Sequence, residues 1–127
     1  QSKILFCLVN DAIQRAREKI PYLNNLEFLN DNSLLAYKKQ NQVFDAIYLD
    51  PMYPIIKKST KKRASINNIK QILEIENLAS DEEEIIDIFM KYNYKKIIVK
   101  RPLKSEKKYS NINYQVKGKT TRFDIYI

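Results

Sequence analysis

Seven residues, Val43 to Leu49 (VFDAIYL), stop abruptly at Asp50-Pro51-Met52-Tyr53-Pro54. A short, mostly apolar run predicts a strand buried on both faces, as in a parallel sheet covered by helices. The two prolines end it, because each fixes φ and lacks an N–H, so the chain leaves the sheet as a stiff extended loop. Helix-period and strand-period segments alternate around this strand. Ile4, Leu5, Leu8, Val9, Ala12, Ile13 and Ala16 predict an amphipathic helix with one buried stripe, running to Lys19 before Pro21. Leu26–Leu29 (LEFL) predicts a short strand, and Asn32 or Ser33 caps a short helix through Leu34, Leu35 and Tyr37. Ile66, Ile69, Ile72 and Leu73 mark a helix from Ala64 to Glu76. Ser80 with Glu83 forms a capping box for another, presenting Ile85, Ile86, Ile88, Phe89 and Met90. Lys95–Val99 (KKIIV) is a strand ending at Lys100-Arg101-Pro102. Asn113–Val116 and Arg122–Ile127 form a hairpin about Lys117-Gly118-Lys119. The order is α/β, with a mainly parallel sheet and an antiparallel C-terminal hairpin.

Composition removes several chemistries. The 127 residues include no His, which excludes an imidazole base, a Ser-His-Asp triad and the usual zinc site. The single glycine, Gly118, excludes every glycine-rich phosphate loop. The one cysteine, Cys7, fits a reducing compartment and reads as a small buried hydrophobe. No signal-peptide pattern and no run of about 18 apolar residues is present, so the expectation is a cytoplasmic protein without a membrane partner. Gln1, in place of an initiator Met, reads as the start of a portion of a gene product.

The formal charge is +8, and it is clustered. Lys57, Lys58, Lys61, Lys62 and Arg63 form one group, residues 91–108 a second, and Lys117, Lys119 and Arg122 a third. Clustered cations interleaved with tyrosines point to a phosphate backbone as partner; the plain alternative is codon usage in an AT-rich genome. In open α/β sheets, ligands bind beyond the carboxyl ends of the strands. Asn32-Ser33, Asp50 and Lys100-Arg101 all fall at such ends. Lys57, Lys58, Lys61, Lys62, Arg63, Lys100, Arg101, Lys119 and Arg122 are the candidate contacts to RNA or another nucleic acid, with a donor contact or plain solvation as the alternatives for Lys100 and Arg101. Arg122 with Asp124 is equally a structural ion pair.

Asp50-Pro51-x-Tyr53 after a buried strand suits methylation of an exocyclic amine. The lone pair of such an amine is delocalised into the base and is a poor nucleophile. A carboxylate and a backbone carbonyl that accept its two N–H groups favour the pyramidal, nucleophilic form. Pro51 stiffens the loop, and Tyr53 can stack on an extruded base. Transfer from a sulfonium donor needs mainly in-line placement, so neither histidine nor metal is required. The alternative is a strand-ending turn with Tyr53 in the core.

The segments FDAIYLDPMYP, KKSTKKR, IIVKRP and GKTTRFDIY, in that order, resemble the bacterial 16S rRNA guanine-N2 methyltransferase family called RsmJ. That family carries a YLDPMFP-like motif, a VVKRP-like strand end and a GKxHRFD-like hairpin. The resemblance implies a class I, Rossmann-like methyltransferase fold, S-adenosylmethionine as methyl donor, and a guanine N2 in 16S rRNA of the small ribosomal subunit as target. It implies that Asp50 sits beside donor and amine, that Asn32 and Ser33 contact the donor's adenosine, and that Gln1 follows the ribose-binding position. Thr121 and Tyr53 stand where the family has His and Phe. The glycine-rich loop and the ribose carboxylate are missing, so residues 1–127 look like the C-terminal portion of one catalytic domain, inactive alone. Two rivals remain from the residues themselves. One is an amino-methyltransferase acting on DNA adenine or another RNA base; the other is a basic nucleic-acid-binding module without catalysis.

Overall fold

The computed structural model describes residues 2–40, 42–51, 64–78, 82–106 and 109–127. They fall into two compact units. One holds the described residues of 1–39 and 57–79, the other those of 40–56 and 80–127.

The first unit is helical. Helix α1, Lys3–Ala16, starts where Ser2 Oγ accepts the Leu5 N–H at 3.1 Å, an N-cap that satisfies one orphan donor. It ends at Ala16 rather than Lys19, as Lys19 and Ile20 both donate to the Ala16 carbonyl in a closing turn. Pro21 then opens a 3-10 helix, Pro21–Asn25. Only part of the expected stripe is covered: Leu5, Ile13 and Ala16 are half-buried, while Ile4, Leu8, Val9 and Ala12 are exposed. Cys7 is exposed beside Leu8 on the same side, and is not the buried hydrophobe expected of it. The LEFL segment forms no strand. Leu26 has extended dihedrals (φ −94°, ψ 118°), but this unit has no described strand to pair with it. Phe28 instead stacks on Phe6, with ring centroids 5.1 Å apart.

Helix α2, Ser33–Lys39, is short and capped from outside by Asn32. Helix α3, Ala64–Ile75, ends in a Schellman turn. Leu78 donates to the Leu73 carbonyl and Asn77 to that of Glu74, with Asn77 at φ 53° in the left-handed position. Glu76, at this end, accepts the Ile4 N–H at 3.1 Å and so ties α3 to the start of α1. The Ser2 hydroxyl and the N–H groups of Ile4 and Lys3 hold its carboxyl below the usual carboxylate range.

The second unit is a mixed α/β assembly: β1 (Ile47–Leu49), α4 (Glu82–Phe89), β2 (Ile97–Pro102), β3 (Tyr114–Lys117) and β4 (Thr121–Tyr126). Its four strands are ordered β1-β2-β4-β3. β1 runs parallel to β2, and β4 is antiparallel to both β2 and β3. Among the described residues, one pairing of three is therefore parallel. The described sheet is mixed rather than mainly parallel, because β4 of the hairpin pairs antiparallel with β2 as well as with β3. β1 is also shorter than expected and lies at the edge of the described sheet, which leaves Tyr48 54% exposed instead of buried.

β2 shows the period of two. Ile97, Val99 and Arg101 are buried, while Ile98, Lys100 and Pro102 are half-buried. The register pairs Ile97 with Tyr126, Val99 with Asp124 and Arg101 with Arg122, so these six share one face, and all are buried. Tyr109 links that face to α4: its ring meets Tyr126 edge-on at 6.0 Å, and its hydroxyl donates to Asp87. Ile86 and Phe89 of α4, with Ile125 of β4, complete the buried apolar set among the described residues.

Candidate active site

Two strand ends make the site. β1 leaves the ladder at Leu49, paired with Val99, and the next residue on each strand is Asp50 or Lys100. That continuation of the parallel register puts a carboxylate opposite an ammonium, and Lys100 Nζ meets Asp50 Oδ2 at 2.8 Å. Both side chains are partly open to solvent, 45% for Asp50 and 35% for Lys100. The Asp50 hydrogen bond raises the Lys100 ammonium above the ordinary lysine value, against partial desolvation; the Asp50 charge and Tyr48 add to the rise. Lys100 is therefore charged at neutral pH and holds one oxygen of the carboxylate. Pro51 follows directly, half-buried and without an N–H. At the opposite end of the same strands, Lys95 Nζ meets Asp45 Oδ1 at 2.7 Å. This pair is more exposed, and Lys95 holds the Asp45 carboxyl below its usual range.

Asn32 and Ser33 belong to the helical unit. Asn32 Oδ1 accepts the N–H groups of Leu34 (3.0 Å) and Leu35 (3.2 Å), so the cap is Asn32 rather than Ser33. Asp31 steadies this turn by accepting the Asn32 N–H at 2.7 Å and Lys39 Nζ at 3.1 Å. Lys39 first, and the Asn32 N–H second, hold its carboxyl below the usual range. The Asn32 carbonyl is thus spent on the helix. Its amide N–H groups and the exposed Ser33 hydroxyl remain as donors for a ligand among the described residues.

Arg101 and Arg122 are elsewhere than expected. Alternation along β2 sends Arg101 to the face opposite Lys100, and Arg101 and Arg122 are each only 3% exposed. Between them lies Asp124, fully buried: Arg122 Nε donates to its two oxygens at 3.0 and 3.2 Å, Arg101 Nε stands 3.6 Å away, and Gln115 donates at 2.5 Å. The Arg122 guanidinium also donates to the carbonyls of Pro102, Leu103, Ser105 and Glu106. In this structure both arginines are internal struts, not RNA contacts, and the structural ion pair of Arg122 with Asp124 is the one that forms. Lys119 is exposed in the hairpin turn, as an RNA contact needs. Gln1, Tyr53 and Lys57, Lys58, Lys61, Lys62 and Arg63 lie outside the described residues. Among the described residues, no group of three or more His, Cys, Asp or Glu side chains could hold a metal ion, and no helix is long and apolar enough to cross a membrane.

Sequence reasoning missed the Asp50–Lys100 contact. Its signal was present: both residues stand one step past apolar strands that pair in parallel, so equal offsets bring them together.

The model of a family of SAM-dependent methyltransferases matches residues 1–127. A curated relative, Ribosomal RNA small subunit methyltransferase J of Francisella tularensis subsp. novicida, is 35% identical over 130 residues, covering 96% of this chain and 52% of the relative. The protein of the same name from Francisella philomiragia is 33% identical over 127 residues, with the same coverage. The chain spans about half the length of the curated relatives it matches. No solved structure matches it.

Proposed function

Because this chain belongs to the family of SAM-dependent methyltransferases, we propose that the protein transfers a methyl group from S-adenosylmethionine to the N2 amine of a guanine in 16S rRNA. The observation that carries the proposal is Asp50, held by Lys100 at the ends of two parallel strands, where open α/β sheets take their ligands. The small-subunit rRNA named in the relatives' title supports the substrate class. We take the fold as class I, Rossmann-like, with residues 1–127 forming the C-terminal portion of the catalytic domain, in the cytoplasm.

The chemistry asks little of the protein beyond placement. S-adenosylmethionine, when bound, supplies an electrophilic methyl on a positively charged sulfur. Asp50 accepts one N–H of the guanine amine through its carboxylate, and the Asp50 main-chain carbonyl, next to Pro51, accepts the other. This holds the amine pyramidal and in line. Lys100 keeps the carboxylate oriented. As the new N–C bond forms and the C–S bond breaks, the amine sheds a proton, which the half-exposed carboxylate can pass to water. Asn32 and Ser33 suit the adenosine part, because their remaining donors match the acceptor nitrogens and hydroxyls of a nucleoside. Pro51 and Tyr53 complete the catalytic loop, Lys57, Lys58, Lys61, Lys62, Arg63 and Lys119 take phosphates of the RNA, and no metal takes part.

The test is methyl transfer from labelled S-adenosylmethionine to small-subunit rRNA by the full-length protein. Asp50→Asn should lower the rate by about 10²-fold or more, the usual cost of one positioned electrostatic group. Transfer to DNA adenine instead would move the substrate assignment and leave the amine chemistry standing.

A further inference from the structure

The turn of the hairpin stands at the same end of the sheet as the candidate active site. β2 ends at Pro102, paired with Thr121, and Lys117 pairs with Arg122, so the 118–120 turn lies at the same end of the sheet as Asp50 and Lys100. The 103–105 loop continues past that end. Between loop and hairpin is a cavity of about 500 Å³ lined by Leu103, Lys104, Ser105, Gln115, Lys117 and Arg122.

The charges of this cavity do not cancel. Asp124, beneath it, is already taken by Arg122, Arg101 and Gln115. The Arg122 guanidinium, paired with Asp124, is locked to four carbonyls of the loop and holds loop and hairpin together beneath the cavity. Lys104 and Lys117 are exposed at the rim, with Lys119 in the turn beyond. Among the described residues, Lys39, Lys95 and Lys100 each meet an aspartate, but none of these three rim lysines has a carboxylate partner. Glu106, two residues after Lys104, is exposed. Three interstrand steps separate β1 from β3, about 14 Å at the usual spacing, and the cavity opens on the face of Arg101 and Asp124, so an RNA strand reaches it by passing over the end of the sheet.

We propose that this cavity is a subsite for a phosphodiester of the RNA strand flanking the target base, gripped by Lys104 and Lys117 above Arg122. The inference rests on the methyl-transfer reading and adds to it a place where substrate is held away from the reacting amine. Contacts of this kind fix register without reading sequence.

The experiment uses the full-length protein and an oligonucleotide from small-subunit rRNA. Its binding is followed by fluorescence anisotropy at several salt concentrations, alongside steady-state transfer. For Lys104→Ala/Lys117→Ala, the slope of log K against log salt should shrink by about one, the counterions of one lost phosphate contact. KM for RNA should rise several-fold, with the loss falling on KM rather than kcat. The Lys104→Arg/Lys117→Arg pair should restore both, and Lys95→Ala, at the opposite end of β2, should leave the slope alone. An unchanged slope in the double alanine variant, or a loss confined to kcat, overturns the subsite. If the wild-type protein methylates no rRNA, the functional reading fails instead, and the anisotropy slope still decides whether the cavity binds RNA.

Discussion

Lys100→Met is the most informative single change at the site, because it removes the ammonium and keeps the apolar stem that lies along the strand. The pair it breaks is short, 2.8 Å, but its side chains are 35% and 45% exposed. A partly exposed ion pair contributes at most about 1 kcal/mol. The expected loss of stability is therefore small, a fall in Tm of a few degrees at most for a chain this size. If the same energy orients the Asp50 carboxylate, its loss lowers kcat by about five-fold, since 1.4 kcal/mol corresponds to tenfold. This is far less than Asp50→Asn should cost. The sign with pH follows from the direction of the shift. The folded-state value of Lys100 is raised, so its contribution to stability is present at neutral pH and is lost as pH climbs past 10.5, the ordinary lysine value, through the folded one. Wild-type and Lys100→Met proteins should then differ in Tm at pH 7 and converge at high pH, while Lys100→Arg stays near wild type. Single-turnover transfer with saturating RNA isolates the rate effect. A Lys100→Met loss as deep as that of Asp50→Asn would make Lys100 part of the reacting centre. A reduced salt slope with unchanged single-turnover rate would make it an RNA contact. Either result refutes the positioning role argued from the geometry.

Two other perturbations separate structure from chemistry. Asp124→Ala strands two buried guanidiniums, so it should destabilise the sheet unit by about 3–5 kcal/mol in urea titration, whereas an RNA-contact role for Arg122 would leave stability untouched. Asp31, Asp45 and Glu76 are all held below their usual carboxylate values. Their contributions should be present above about pH 4 to 5 and be lost as pH falls through the folded values, which thermal melts between pH 5 and 2 will show as a progressive decline.

Much of this fold is legible in the sequence where local rules act alone. Ser2, Asn32 and Asn77 cap three helices without help from distant residues, and the helical period placed α1, α3 and α4. The apolar part of the KKIIV segment and the hairpin around Gly118 also formed strands, although the KKIIV strand starts at Ile97 and runs on through Lys100 and Arg101 to Pro102. Gly118 is there for proximity rather than for its dihedrals: a Cβ would meet the Thr121 carbonyl oxygen at 3.3 Å. What the pattern could not supply was pairing. Leu26–Leu29 has the composition of a strand but no described partner, and Tyr48 is open because β1 sits at the described edge. Lys100 and Arg101 read as one polar end, yet adjacent strand residues face opposite ways. Only the ladder shows that one reaches Asp50 while the other is buried against Asp124. The Asp-Pro motif itself needed no ladder, since an apolar strand followed by a proline-stiffened carboxylate is already a chemical statement.

The most direct test of the whole account is mass-spectrometric analysis of guanines in small-subunit rRNA treated with full-length protein and S-adenosylmethionine, wild type against Asp50→Asn. The account requires N2-methylguanine with the wild type and a loss of about 10²-fold or more with the variant, at unchanged RNA affinity and with a melting temperature lower by a few degrees at most. Equal methylation by the two proteins would contradict it.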